Sequence, residues 1–472
     1  MRKLFAVLPA LVVLMLAARL CAQELQPTLE VHTATGQTTF HIGERIALKL
    51  TFTSPNDTQY KMYQDGFERV APTSSESFDV SPAAGWVDPL ATYYAYYGYD
   101  PDTGIIFAVP FLASKPVEGS LDLNQWVRFD KPGVYTVRVK SGRVRDAVYR
   151  GHERPRLQSN AIRLRIIPAT PEWQSATLAR GDAADLRYLA TPAAIEKMTA
   201  QLREVSHGNA SRMGLSGLPD SMRGLAVASM KRRLDEPDYP INAFFVDTMV
   251  VLGLSPTSDM DNLRKQERTL RANVLQMILD VAPNKELAAR ASTVQMLMQT
   301  QNVEAFGAKS QMAALLVDTF PAMDSAGQVA VLRAHWDVLR SPDILPELRK
   351  LATQPAKNDV YAAPTLSMAL KSAALQRWYE IDPAGAKSEI FAQIGSADPA
   401  LSAQGVGFLP MDSLPQFEGT WADAFLAAKD QMKQRILGSL LVRFGTGAVS
   451  SQMVRKLNET AVPCDPQIYA LA

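Results

Sequence analysis

Asp130-Lys131-Pro132-Gly133-Val134-Tyr135-Thr136-Val137-Arg138-Val139 decides the fold of the first third of the chain. A Pro-Gly turn leads into a run in which Tyr135, Val137 and Val139 fall on one face and Thr136, Arg138 and Lys140 on the other. Successive side chains of a strand point to opposite faces, so this alternation predicts a strand buried on one side. Outward from it, residues 23–168 keep the same period. Ile46, Leu48, Leu50 and Phe52 alternate with Arg45, Ala47, Lys49 and Thr51, and Ile162, Leu164 and Ile166 alternate with Arg163 and Arg165. Leu29 and Val31 suggest a shorter strand, and residues 105–109 form an apolar run expected as a covered central strand. Short strands punctuated by Gly, Pro and Asn predict an antiparallel β-sandwich.

The order D-x-x-G-x-Y-x-V, made by Asp130, Gly133, Tyr135 and Val137, resembles the tyrosine corner of immunoglobulin-like sandwiches. Val137 stands where a disulfide-bonded family carries cysteine. The resemblance implies an immunoglobulin-like domain closing near residue 168.

Two connections are long for such a fold. Residues 54–103 contain Tyr93, Tyr94, Tyr96, Tyr97 and Tyr99, and nine of the fourteen tyrosines lie between residues 60 and 149. Exposed tyrosines can stack on sugar rings or partner side chains; the alternative is that they pack within their own domain. Residues 141–160 carry Arg143, Arg145, Arg150, His152, Arg154 and Arg156 against only Asp146 and Glu153. That basic loop suits an acidic patch or polymer, with solvated charge as the plainer reading.

The chain opens with Arg2-Lys3, fifteen uncharged residues over 4–18, and Arg19-Leu20-Cys21-Ala22. A basic start, an apolar run and a small residue predict a secretory signal over residues 1–22, with a retained anchor as the rival. The location expected is periplasmic or extracellular. Removing that segment takes away three basic residues and no acid, leaving 46 basic and 48 acidic side chains, a net charge of −2. This balance gives no reason to propose nucleic acid or an anionic membrane as partner. Cys464 would be the sole cysteine left, so no internal disulfide is expected.

Ile167-Pro168-Ala169-Thr170-Pro171 breaks the strand pattern, and fifteen of the eighteen methionines follow residue 190. Methionine fills irregular gaps between helices, so residues 169–462 are expected to be all-α, followed by a tail over 463–472. Val329, Leu332, Trp336 and Leu339 suit one helix face, as do Leu366, Leu370, Ala374 and Trp378. Trp336 and Trp378 are 42 residues apart, as are Leu348 and Ile390. Ser341-Pro342, Asp382-Pro383 and Thr191-Pro192 each place an N-cap residue before proline at a helix start, and 234–237 is a weaker instance. Paired helices near a 42-residue repeat resemble HEAT-like repeats over about residues 180–460, against an irregular bundle as the alternative. Signal, sandwich and helical pairs together also resemble exported bacterial proteins, a likeness that implies no activity. A repeat domain implies an extended groove for a protein partner.

The scattered histidines (His32, His41, His152, His207 and His335) make no zinc spacing, and no H-E-x-x-H or C-x-x-C occurs. Residues 214–218 depart from G-x-S-x-G and read as a loop; residues 445–450 lack the third glycine of a dinucleotide fingerprint. Residues 100–104 offer two carboxylates at calcium-loop spacing without further ligands. No cofactor or metal is expected. The sequence predicts an exported, non-enzymatic binding or scaffolding protein that uses its helical surface for protein partners. The alternatives are glycan or cell-wall binding through the tyrosines and the basic loop, and a hydrolase with a site assembled from distant residues.

Overall fold

The computed structural model describes residues 26–63, 69, 75–97, 110–147, 156–255, 259–299, 309–354, 366–395, 402–403, 405–406, 414–429 and 431–447. The signal over 1–22, the tail over 463–472, the expected strand at 105–109 and the calcium-like turn at 100–104 lie outside them.

A strand-rich N-terminal region of mainly antiparallel sheets is followed by a helical region. Strands β1 (Thr28–Thr33), β3 (Ala47–Thr53) and β8 (Val117–Asp122) form one sheet in the order β1-β3-β8. A second sheet has the order β12-β10-β13-β2, made of Leu157–Gln158, Gly133–Ser141, Ile162–Ile167 and Thr39–His41, with β5 (Glu76–Ser81) also on β10. β13 and β2 run parallel; the other pairs in both sheets are antiparallel. The alternation read from sequence fixes the faces: Leu48, Leu50 and Phe52 join Tyr135, Val137, Val139, Leu164 and Ile166 in one core. The Tyr135 hydroxyl donates to the carbonyl of Lys131, four residues upstream, at 2.9 Å. Asn160 covers β1 at Val31, accepting from its N–H at 2.7 Å and donating to its carbonyl at 3.0 Å. A side-chain amide thus satisfies an edge that would otherwise offer itself for pairing.

The helical region begins at Pro171, where Thr170 Oγ1 accepts from the N–H of Trp173 at 3.2 Å. Thr191 and Asp382 cap in the same way, accepting from the N–H groups of Ala194 and Gly385, whereas Ser341 accepts from the N–H of Asp343 at the start of the short 3-10 helix Pro342–Ile344. The hinge at 234–237 is different: helix Asp220–Asp235 ends there, and the next, Ala243–Gly253, is capped by Asn242.

The chain divides into two compact units. One holds residues 1–236 and 242–275, the other 237–241 and 276–472. The change from strands to helices thus falls between Ile167 and Pro171, inside the first unit. The second unit contains Leu287–Gln299, Ser325–Ala334, Leu345–Thr353, Leu366–Ile381, Pro383–Ile394 and Glu418–Ala427 among its helices. Trp336 and Trp378 are both buried there, as are Leu348 and Ile390.

Three local expectations need correction. The tyrosine run does not form a loop: Ala91–Tyr97 is a helix, because Tyr93 and Tyr94 pack with Leu90 and Val251. Residues 214–216 close the helix Val205–Ser216, since burial of Leu215 and Gly214 outweighs the local glycine signal. Val329 to Leu339 is not one helix. His335, at φ −127 and ψ 25, separates Ser325–Ala334 from the short Trp336–Leu339, although all four apolar residues remain buried.

Candidate functional site

Sequence reasoning pointed to tyrosines and a basic loop. Tyr93 and Tyr94 are only 6% and 3% exposed and offer no ring face to solvent. Burial, the largest influence, pushes the Tyr93 hydroxyl up from its ordinary value. Arg143 is buried in an ion pair with Glu76, donating from Nη2 to Oε2 at 3.0 Å, and its chain serves the sheet. Arg145 lies over the Tyr63 ring at 4.4 Å. Tyr99, Arg150 and Arg154 fall outside the described residues, as do the side chains of Tyr96 and Tyr97. Among the described residues, Tyr93, Tyr94 and Arg143 are buried and form no exposed surface with Arg145.

The first unit instead forms a cleft where the strand-rich region meets its first helices. It has a volume of about 280 Å³ and is walled by Gln37, Phe40 and Arg45 on one side and Trp173, Arg180 and Asp185 on the other. The turn at Gly43–Glu44 separates it from a narrower void of about 40 Å³ that reaches Arg128, Arg187 and Tyr188.

Local chemistry sets both walls. Gly43 has φ +80, a left-handed conformation open to glycine, and an added Cβ would stand 3.0 Å from the Tyr188 carbonyl. Glu44 locks the turn, accepting from the His41 N–H at 2.7 Å and lying 2.9 Å from His41 Nδ1. The His41 ring stacks on Trp173 with centroids 4.6 Å apart and planes at 17°. Trp173 is thereby held against the strand-rich region by one face.

Beneath the cleft lies Asp122, whose side chain is 6% exposed at the end of β8. It accepts from Arg45 Nε at 2.9 Å, from the Tyr188 hydroxyl at 3.1 Å and from Arg187 Nη2. Burial, the largest influence, pushes the Tyr188 hydroxyl far up, so it stays a donor. Burial works against the charge of Arg45, but the hydrogen bond and charge of Asp122 outweigh it and raise its guanidinium. A half-buried cation, a buried cation and a hydroxyl thus converge on one carboxylate and tie β8 to residues 187–188.

Asp185 differs from Asp122. Among the described residues no hydrogen bond or ion pair engages its carboxylate, although Arg45 and Arg180 are near enough to favour its charge. Burial is the largest influence and Asp182 adds repulsion, so its pKa is raised. Arg45 keeps its Nη groups clear of Asp122, which engages only Nε, while Arg180 Nη2 donates to Thr177 Oγ1 at 3.1 Å. The cleft therefore presents donors, an uncompensated acceptor and aromatic surface to one space.

Among the described residues, no group of three or more His, Cys, Asp or Glu is placed to hold a metal ion, and no helix is long and apolar enough to cross a membrane. No family model, curated protein or solved structure matches the chain. None of the cleft residues carried a motif. The one signal within reach was Thr170-Pro171, which starts the helix that delivers Trp173 and Arg180.

Proposed function

We propose that this is an exported, non-enzymatic binding protein whose ligand site is the cleft of the first unit. One observation carries the reading: an open cleft walled by aromatic and charged side chains adjoins the buried Asp122 network. Binding sites need polar groups held in place before the ligand arrives, and a network that ties β8 to residues 187–188 supplies that order. The finer fold assignment, an immunoglobulin-like sandwich leading into HEAT-like repeats, belongs to the same proposal. It is supported by the Tyr135–Lys131 hydrogen bond and by the side-chain caps before proline at Ser341 and Asp382.

A photo-crosslinking residue at Gln37 or Arg180, both exposed at the rim, tests the site in the native cell, with exposed Arg268 as the control position. The expected result is a discrete adduct from either rim position and none from Arg268. Equal yield at Arg268, or no adduct from the rim, would overturn the proposal.

A second reading keeps the helical surface of the other unit for a protein partner. Arg377 lies over Trp336 at 5.2 Å and Arg349 over Trp378 at 5.6 Å, so positions 42 residues apart share a buried indole under a guanidinium. The 42-residue spacing of the two buried indoles supports a stacked repeat. Failure of the full chain to recover a partner from envelope extract would count against it.

A further inference from the structure

We propose that the cleft walled by Gln37, Arg45, Trp173, Arg180 and Asp185 takes a ring of a neutral glycan. The inference rests on the cleft being the ligand site and adds the chemical class of the ligand.

Size sets the first limit. About 280 Å³ lies just below the range of roughly 300–1,000 Å³ that holds drug-sized ligands, so one or two rings fit and a folded partner does not. Charge sets the second. Arg45 and Arg180 face Glu44 and Asp185 across the same space. An anionic ligand would meet two carboxylates and a cationic one two guanidiniums. A neutral ligand meets neither penalty, provided that it can both donate and accept.

Hydroxyl groups do both. Asp185 offers an acceptor that no donor engages among the described residues, and Arg45 offers Nη donors left over from its bond to Asp122. Adjacent hydroxyls of a sugar can donate to the first while accepting from the second. Donation to Asp185 would also offset the burial that disfavours its charge. Trp173, part-exposed beside the cleft, gives the apolar C–H face of a ring a surface to lie on. Glu44 is already engaged by His41 and Gln37, so Asp185 is the acceptor the ligand would use.

The test is titration calorimetry of the full chain at pH 7 with cellobiose, maltose and N,N′-diacetylchitobiose. Glycylglycine and inorganic phosphate serve as the charged comparisons. At least one disaccharide is expected to bind with Kd of about 1 mM or tighter. Asp185→Asn and Trp173→Ala should each weaken that binding about tenfold or more while the protein stays folded at the temperature of the titration. Should Trp173→Ala fail to fold, Trp173→Phe and Asp185→Asn carry the comparison. Binding of glycylglycine or phosphate with no sugar bound would reject the glycan while keeping the cleft. Sugar binding that both variants leave within about twofold would place it elsewhere and reject the inference. No heat from any of these probes would overturn both.

Discussion

Replacing Asp122 by alanine should loosen the first unit markedly. Its side chain is 6% exposed, and Arg187, at 11%, is nearly as buried. Removing one partner of a buried pair leaves the other charge unpaired, at about 3–5 kcal/mol. Arg45, at 39% exposed, regains water and adds less than about 1 kcal/mol. The Tyr188 hydroxyl loses its acceptor, adding about 1 kcal/mol. A loss of at least about 4 kcal/mol is therefore expected. At about 2–4 °C per kcal/mol for a unit of this size, the melting transition of the first unit should fall by about 10 °C. Differential scanning calorimetry of the full chain reads this. The pair Asp122→Leu with Arg187→Leu should recover about half of the loss or more, because removing both charges leaves neither stranded. A drop under about 3 °C, or strict additivity of the two changes, would show that the network does not hold the helices to the strands.

Tyr135→Phe removes the donor to the Lys131 carbonyl and should cost about 1 kcal/mol in urea unfolding, with the m-value unchanged. Asp185→Asn tests pH linkage. The folded pKa of Asp185 is raised above its ordinary 3.8, so its ionised form costs stability at neutral pH and that cost disappears as pH falls through the folded pKa. The variant should melt higher than wild type at pH 7 and match it below about pH 4; a constant or reversed difference would contradict the raised pKa. Trp336→Ala and Trp378→Ala should each cost about 3–5 kcal/mol, read by calorimetry on the second unit, as expected for buried indoles.

The parts legible in the sequence are those whose signals are local. Strand alternation around Tyr135 and Leu48 is a matter of period two, and Thr170-Pro171, Thr191-Pro192 and Asp382-Pro383 are caps written within four residues. Tertiary packing defeated local reading elsewhere. Tyr93 and Tyr94 belong to a residue type that favours strands, yet contact with Val251, more than 150 positions away, holds them in a helix. The break at His335 interrupts a pattern that looks continuous because its four apolar residues stay buried on either side of it. The cleft was invisible for a related reason. Gln37, Arg45, Trp173 and Asp185 meet only after β2 and β3 have folded against residues 171–190, and each alone is an unremarked polar or aromatic position.

Hydrogen exchange of the full chain, with and without a pool of neutral disaccharides, tests the central claim most directly. Ligand should slow exchange in residues 35–47 and 173–188 and leave residues 325–394 unchanged. Protection confined to 325–394, with the cleft segments unaffected, would contradict it.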